Sequence, residues 1–107
     1  MIILMNSAMM PHEGIYIMKK ITDQEFFNKI KETPIEQIQS FIGWPENLRL
    51  IYNKTNVQIP ISREDTVITS QDQVYVMKLK YRPENKNKKF TRIEDFDFFR
   101  VQFQEIQ

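Results

Sequence analysis

The strongest constraint on the fold is an alternation of apolar and polar residues close to the C-terminus. Within residues 98–106, apolar side chains occupy every second position, at Phe99, Val101 and Phe103. This period of two predicts a strand with one buried face. Residues 73–81 alternate in the same way and predict a second strand, which forms a hairpin with residues 64–69.

Two apolar segments near the N-terminus predict two further strands. Residues 2–5 suit a buried strand, and residues 15–21 are rich in β-branched and aromatic side chains. Residues 6–14 contain Asn, Ser, Pro, His and Gly and therefore predict a loop between these strands.

Three capping boxes predict where helices begin. A glutamate follows three residues after Thr22, Thr33 and Thr91, so that each threonine can cap a helix start while the glutamate reaches back. The first box predicts a helix with a face of Phe26, Phe27 and Ile30. The third predicts a short helix before the last strand.

The second box predicts a helix in the middle of the chain. Pro34 would occupy its first position, Ile35, Ile38 and Ile42 would form its apolar face, and Gly43 would end it.

A third helix is expected to open at Pro45 and to bury Leu48, Ile51 and Tyr52. Residues 53–62 would then lead to the hairpin. The order β-β-α-α-α-β-β-(α)-β predicts an α/β fold, a mixed β-sheet of about five strands flanked by α-helices, with residues 1–107 as a single domain.

Composition excludes several classes of function. The 107 residues include no cysteine, two glycines and a single histidine, His12. Disulfide scaffolds, thiolate zinc sites, multi-histidine metal sites within one chain and Gly-rich phosphate loops are therefore excluded. A net charge of +1 argues against a dedicated binder of long DNA. Without a signal peptide or an apolar window of membrane-spanning length, we expect a cytoplasmic protein that contacts no membrane.

The turn before the third helix is the first candidate binding feature. Pro45 at the first helical position would leave the amides of Glu46, Asn47 and Leu48 at a helix start that favours anions. Trp44 could stack on a nucleobase. The alternative is that Trp44 is a core residue and the amides are hydrated.

Basic residues form a second candidate feature. Seven of the fifteen cations lie within residues 78–92, and Arg82 has the forked geometry that binds phosphate. The alternative is a solvated loop and strand face.

The loop after the first strand is the third candidate feature. Asn6 and Ser7 offer short polar groups at a strand end, and His12 could transfer a proton near neutral pH. Alternatively, His12 is a surface residue. The acidic residues Glu94, Asp95 and Asp97 fit a helix start better than a metal site.

Taken in order, these segments resemble the viral ring nucleases, anti-CRISPR proteins that act against type III immunity. The resemblance extends over nearly the whole chain. It rests on the following segments: Leu4-Met5-Asn6-Ser7, Phe41-Ile42-Gly43-Trp44, Ser62-Arg63, the strand Asp72–Leu79 that leads to Arg82, and Val101–Ile106.

The resemblance implies binding of cyclic tetra-adenylate by a homodimer, with the ring across the two-fold axis. In that family a ribose 2′-hydroxyl attacks the adjacent phosphate, without metal or cofactor, and a histidine after Ile-Gly protonates the leaving oxygen. The implied ligand-binding positions in this chain are Asn6, Ser7, Ala8, Ile42, Gly43, Trp44, Asn47, Arg82 and Asn85.

Two departures from the family pattern affect the expected activity. Trp44 stands at the position of the histidine, and indole cannot act as an acid near neutral pH. The glutamate that follows the arginine in the family falls on Asn85. Because general acid catalysis contributes roughly 10²–10⁴-fold, the chain is expected to sequester its ligand rather than to cleave it. Two alternatives stay open: a nuclease that uses His12, and an inhibitor that binds a host defence protein directly.

Overall fold

The computed structural model describes residues 1–6, 14–42, 44–60, 69, 71–80 and 92–104. This part of the chain forms one five-stranded sheet with two α-helices, which confirms the predicted α/β fold. The strands are β1 (Ile2–Met5), β2 (Ile15–Ile21), β3 (Ile38–Ser40), β4 (Gln73–Leu79) and β5 (Phe96–Gln104), and the helices are α1 (Asp23–Glu32) and α2 (Pro45–Thr55). Single 3₁₀ turns cover Ile35–Gln37 and Ile93–Asp95.

The sheet is mixed, with the strand order β2-β5-β4-β1-β3. Strand β1 runs parallel to both β3 and β4, whereas β5 is antiparallel to both β4 and β2. Ile2 lies opposite both Ile38 and Gln73. The carboxyl ends of β1, β3 and β4 therefore lie at the same end of the sheet, where α2 begins after β3.

Helix α1 begins as its capping box predicts. The Thr22 hydroxyl accepts a hydrogen bond from the Glu25 amide at 3.1 Å, and Phe26, Phe27 and Ile30 are buried. The Phe26 ring packs on Phe98 of β5, with a centroid distance of 5.0 Å. This helix therefore covers one face of the sheet.

The prediction of a helix after the second capping box is wrong, because this segment forms a 3₁₀ turn followed by β3. Thr33 caps the C-terminal end of α1 instead, and its hydroxyl donates to the Lys29 carbonyl at 2.6 Å. Ile38 and Ser40 lie opposite Ile2 and Leu4 of β1. Pairing in the sheet gives β1 a second hydrogen-bonded neighbour, which overrides the local helix signal.

Two apolar clusters occupy the two faces of the sheet. Both helices pack on the first face, on a core that includes Leu4, Phe26, Ile51 and Met77. The second face carries the cluster Ile3, Val74, Val76, Val101 and Phe103. Because β4 contributes to both clusters, Val74–Met77 are buried without interruption.

Strand β2 starts beside an aromatic ring. A side chain at Gly14 would overlap the Phe103 ring, and the Tyr16 ring stacks on Phe103 at a centroid distance of 5.0 Å. Glycine is therefore required at this position by close approach rather than by backbone conformation.

Helix α2 differs from its prediction in one respect. Leu48 and Ile51 are buried as expected, but Tyr52 is exposed. The helix continues to Thr55 and ends at Asn56, which has a left-handed φ of 59°.

The predicted short helix before β5 is the 3₁₀ turn Ile93–Asp95. The hairpin arm at 64–69, apart from Thr69, lies outside the described residues.

Candidate functional site

The carboxyl ends of the three parallel strands define the candidate site, because ligands in open α/β sheets bind at this end. Asn6 follows β1, and Lys80 follows β4. The Phe41 amide, directly after β3, donates to the Leu4 carbonyl at 2.8 Å. The backbone after β3 therefore continues beside the end of β1, which brings Asn6 and the start of α2 to one edge.

The connection between β3 and α2 is held by a buried serine. The Ser40 hydroxyl accepts from the Ile42 amide at 3.1 Å, and the Ile42 side chain is fully buried. A ligand at this edge would therefore meet the backbone of Ile42 rather than its side chain.

Trp44 is the N-cap residue of α2, with an extended backbone and no side-chain capping bond. Its side chain is 47% exposed, so it is not the core residue that the alternative interpretation requires. A half-exposed indole at a helix start is accessible to a ligand from solvent.

The amides at the start of α2 are less available than the sequence predicts. The Trp44 carbonyl accepts from the amides of Asn47 and Leu48, at 3.1 and 3.3 Å. These amides therefore do not point freely out of the helix, and anion binding here depends more on side chains.

Asn47 carries the most unusual polar group at this edge. Its side chain is 2% exposed and lies on the same helix face as the buried residues Leu50 and Ile51. Within the described ranges, the structure gives its carboxamide no hydrogen-bond partner. A buried group of this kind costs roughly 1–3 kcal/mol when unsatisfied, so its presence needs an explanation.

Two cations of the predicted basic stretch reach the same end of the sheet. Lys78 and Lys80 lie at the end of β4 and are exposed. Arg92 is exposed and pairs with Glu94 at 3.5 Å, which is consistent with a solvated surface pair there.

Six of the predicted site residues lie outside the described residues: Ser7, Ala8, His12, Gly43, Arg82 and Asn85. Across the ranges that are described, no group of three His, Cys, Asp or Glu side chains could hold a metal ion. No α-helix in those ranges is long and apolar enough to cross a membrane.

A groove beside this edge has no counterpart among the predicted site residues. The segment after α2 returns along the helix, so that Gln58, Ile59 and Pro60 lie against its outer face. They enclose a groove of about 430 Å³ with Pro45, Leu48, Arg49 and Tyr52. Exposed Tyr52 lies on this groove, and the sequence signal that could have indicated it is the turn residue Asn56 after the helix.

The fold and the edge together define a small α/β protein with a candidate binding site at the ends of parallel strands. The chain belongs to the STIV B116-like family, whose sequence model matches residues 2–103.

Among solved structures, the chain resembles B116 of Sulfolobus turreted icosahedral virus (STIV). The TM-score is 0.71 at 17% sequence identity, with 94% of this chain and 97% of that chain covered. At this identity the likeness shows a shared fold. No curated protein matches the sequence significantly.

Proposed function

We propose that the chain binds a cyclic oligonucleotide second messenger, cyclic tetra-adenylate or a close relative, and sequesters it without efficient cleavage. The binding site is the edge formed by Asn6, the Ile42 backbone, Trp44 and Asn47. In this proposal the chain is an anti-defence protein of a virus or mobile element that acts in the host cytoplasm.

The observation that carries the proposal is the buried carboxamide of Asn47 in the first turn of α2. A carboxamide donates two hydrogen bonds and accepts two, so it suits the mixed donors and acceptors of a nucleobase edge or a ribose. A site built to bind such groups leaves its own polar atoms unpaired when it is empty. The sequence resemblance to the viral ring nucleases implies a nucleotide as the ligand, and membership of the STIV B116-like family fits a viral protein of this fold.

Trp44 supplies a second interaction that such a ligand needs. Base stacking on an aromatic side chain contributes roughly 1–3 kcal/mol per base, and half of the Trp44 surface is accessible for it. Lys78 and Lys80 lie at the same end of the sheet, but the alternation of β4 places them on the face of Val74 and Val76 rather than on the face that α2 covers. A ring across a two-fold axis, as the resemblance implies, would use this edge from two copies of the chain.

Weak cleavage follows from the chemistry of Trp44. Its indole has no proton that it can donate near neutral pH, so the position that holds the acid in the resembled family carries none here. His12 lies outside the described residues and remains the alternative acid.

The proposal is tested by calorimetry of the pure protein against cyclic tetra-adenylate, followed by chromatography of the same sample. We expect heat release at one ring per two chains, with the ring recovered intact. Linear fragments would instead favour the active nuclease, and His12→Ala would then abolish cleavage while binding persists.

Three variants locate the ligand on this edge. Asn47→Leu and Trp44→Ala should each weaken binding. Tyr52→Ala is the matched control, because Tyr52 is an aromatic residue as exposed as Trp44. It lies farther along α2, so its loss should leave binding unchanged. Circular dichroism of each variant should match that of the wild type, which checks that the variant is folded. Unchanged binding by both Asn47→Leu and Trp44→Ala would place the ligand elsewhere.

A second candidate function is favoured by the groove along α2. Exposed Tyr52, Arg49 and Trp44 are residue types enriched at protein interfaces, which fits an inhibitor that binds a host defence protein directly. Absence of heat with cyclic tetra-adenylate and with other cyclic nucleotides would favour this function. Inhibition in cells should then persist in Arg82→Ala, since only messenger binding needs that cation.

A further inference from the structure

Strand β2 is an outer strand of the sheet, and it has a partner strand on one side only among the described residues. It pairs with β5 along its whole length, and the strand order places it at the end of the sheet. Ile15, Ile17 and Met18 are exposed. The backbone of such an outer strand is a template for the addition of another strand.

The edge at β2 is less protected than the edge at β3. Proteins protect outer strands by short length, proline, bulges or charged side chains. Strand β3 has three residues and buries both Ile38 and Ser40. Strand β2 has seven residues, no proline and an uninterrupted register with β5. Its lysines are confined to the second half, so Ile15–Met18 carries no charge.

One face of β2 combines apolar residues with a cation. Ile15, Ile17 and Lys19 share this face, because side chains alternate along a strand. Ile17 lies opposite Gln102 of β5, and Lys19 lies opposite Arg100. The two isoleucines are 55% and 51% exposed, so the layers of the described fold do not cover them. Apolar side chains of an added strand would cover both.

The cations on this face call for an anionic neighbour. Lys19 and Arg100 are both exposed, and like charges directly opposite each other are destabilising. Among the described residues, the structure gives neither of them an ion pair. Glu25 and Glu32 of α1 line the same hollow as Arg100, but Glu32 pairs with Lys29 at 3.2 Å instead. A carboxylate beside Lys19 would reduce the repulsion.

We propose that β2 accepts an extended segment of a different protein as a further strand of the sheet, with an acidic residue opposite Lys19. Backbone hydrogen bonds supply affinity in this mode of recognition, and alternate side chains supply specificity. Antiparallel pairs are slightly more stable than parallel ones. The segment therefore presents an acidic residue and then two apolar residues at alternate positions, facing Lys19, Ile17 and Ile15. Lys20, on the other face, already pairs with Asp97 at 3.4 Å.

This surface is separate from the proposed messenger site. Strands β2 and β3 are opposite edges of the sheet, and α2 follows β3 in the chain. An added strand at β2 therefore leaves the edge with Asn6 and Trp44 uncovered. The two interactions are independent, and failure of one would not bear on the other.

The test uses a fluorescent, capped peptide of seven residues and measures anisotropy against the whole chain. Glutamate faces Lys19, valines face Ile17 and Ile15, and threonine fills the other positions. We expect saturable binding, and about tenfold weaker binding when lysine replaces the glutamate. Lys19→Glu should reverse this preference. The matched control is Lys31→Glu, the same charge change at an exposed lysine of α1, which should keep the preference of the wild type.

N-methylated peptides distinguish strand addition from simple charge attraction. In an antiparallel pair, backbone groups that bond to the partner strand alternate along the chain. Methylation of one alternating set of amides should abolish binding, and methylation of the other set should have little effect. Three results would overturn the proposal: no saturable binding, equal effects of Lys19→Glu and Lys31→Glu, or equal effects of the two methylated sets. Peptide binding that falls as the chain is concentrated would show that a second copy occupies the edge, which would also overturn it.

Discussion

Both outer strands of the sheet contain isoleucine, but these isoleucines have opposite environments. Strand β3 buries Ile38 and Ser40, while β2 buries Ile21 alone and leaves Ile15 and Ile17 exposed. Strand β3 leads directly into α2, which packs on the same face of the sheet as Ile38. Strand β2 extends beyond the cover of the helices. Burial of an isoleucine in this sheet therefore depends on the neighbouring layer and not on strand position.

The largest expected effect comes from comparing the same substitution at the two edges. Ile38→Ala should lower the free energy of unfolding by about 2–4 kcal/mol, because it leaves a cavity in the helix-side core. Ile17→Ala should cost about 0.5 kcal/mol or less, as an exposed substitution. Urea denaturation at low protein concentration measures both. Equal losses would show that the two edges are equally packed.

A smaller effect tests how β2 is anchored. Gly14→Ala should destabilise the fold by about 1–3 kcal/mol, because the added methyl group overlaps the Phe103 ring. Phe103→Leu removes that ring and by itself also lowers the free energy of unfolding. In a double-mutant cycle the two losses should sum to more than the loss in the double variant. Strict additivity would mean that Gly14 does not contact Phe103.

Two buried polar residues of α2 should respond in opposite directions. The Thr55 hydroxyl donates to the Ile51 carbonyl at 2.7 Å and accepts from the Val57 amide at 3.1 Å, so Thr55→Val should lose about 1 kcal/mol. Asn47→Leu should gain about 1 kcal/mol, because it removes a buried carboxamide that has no hydrogen-bond partner among the described residues. A loss in Asn47→Leu similar to that in Thr55→Val would show that Asn47 is satisfied without ligand.

The smallest expected effect comes from comparing the two capping boxes on either side of α1, which have the same pattern in the sequence. Thr22→Ala should cost about 1 kcal/mol, because Thr22 caps the helix. Glu36→Ala should change stability by less than about 0.5 kcal/mol, because the second box caps no α-helix. Thermal unfolding of both variants measures the difference. A large loss in Glu36→Ala would restore a capping role for the second box.

These comparisons also show how far the sequence could predict the fold. The strands 2–5 and 15–21, the helix after Thr22 and the helix after Pro45 all follow from local patterns, and the structure confirms them. Strand β3 does not, because Ile38 and Ile42 fit a helical spacing as well as an alternation through Ser40. Only the pairing of this segment with β1 shows that it is a strand and not a helix.

The candidate site was predictable in part. Strand ends and a proline at a helix start indicated the edge that contains Asn6 and Trp44, and the half-exposure of Trp44 agrees with a surface role. The burial of the Asn47 side chain could not be predicted. The hydrogen bond from the Asn47 backbone amide to the Trp44 carbonyl could not be predicted either. Both depend on how α2 packs against the sheet.

The sequence by itself determined which segments are apolar, where most helices begin, and that cysteine chemistry and a multi-histidine metal site within one chain are excluded. These properties are local, because they depend on residue type and spacing within one or two turns. The tertiary structure decided which isoleucines are buried, that the second capping box precedes a strand, and that one carboxamide is buried without a described partner. Each of these depends on contacts between segments distant in sequence, which residue spacing alone does not specify.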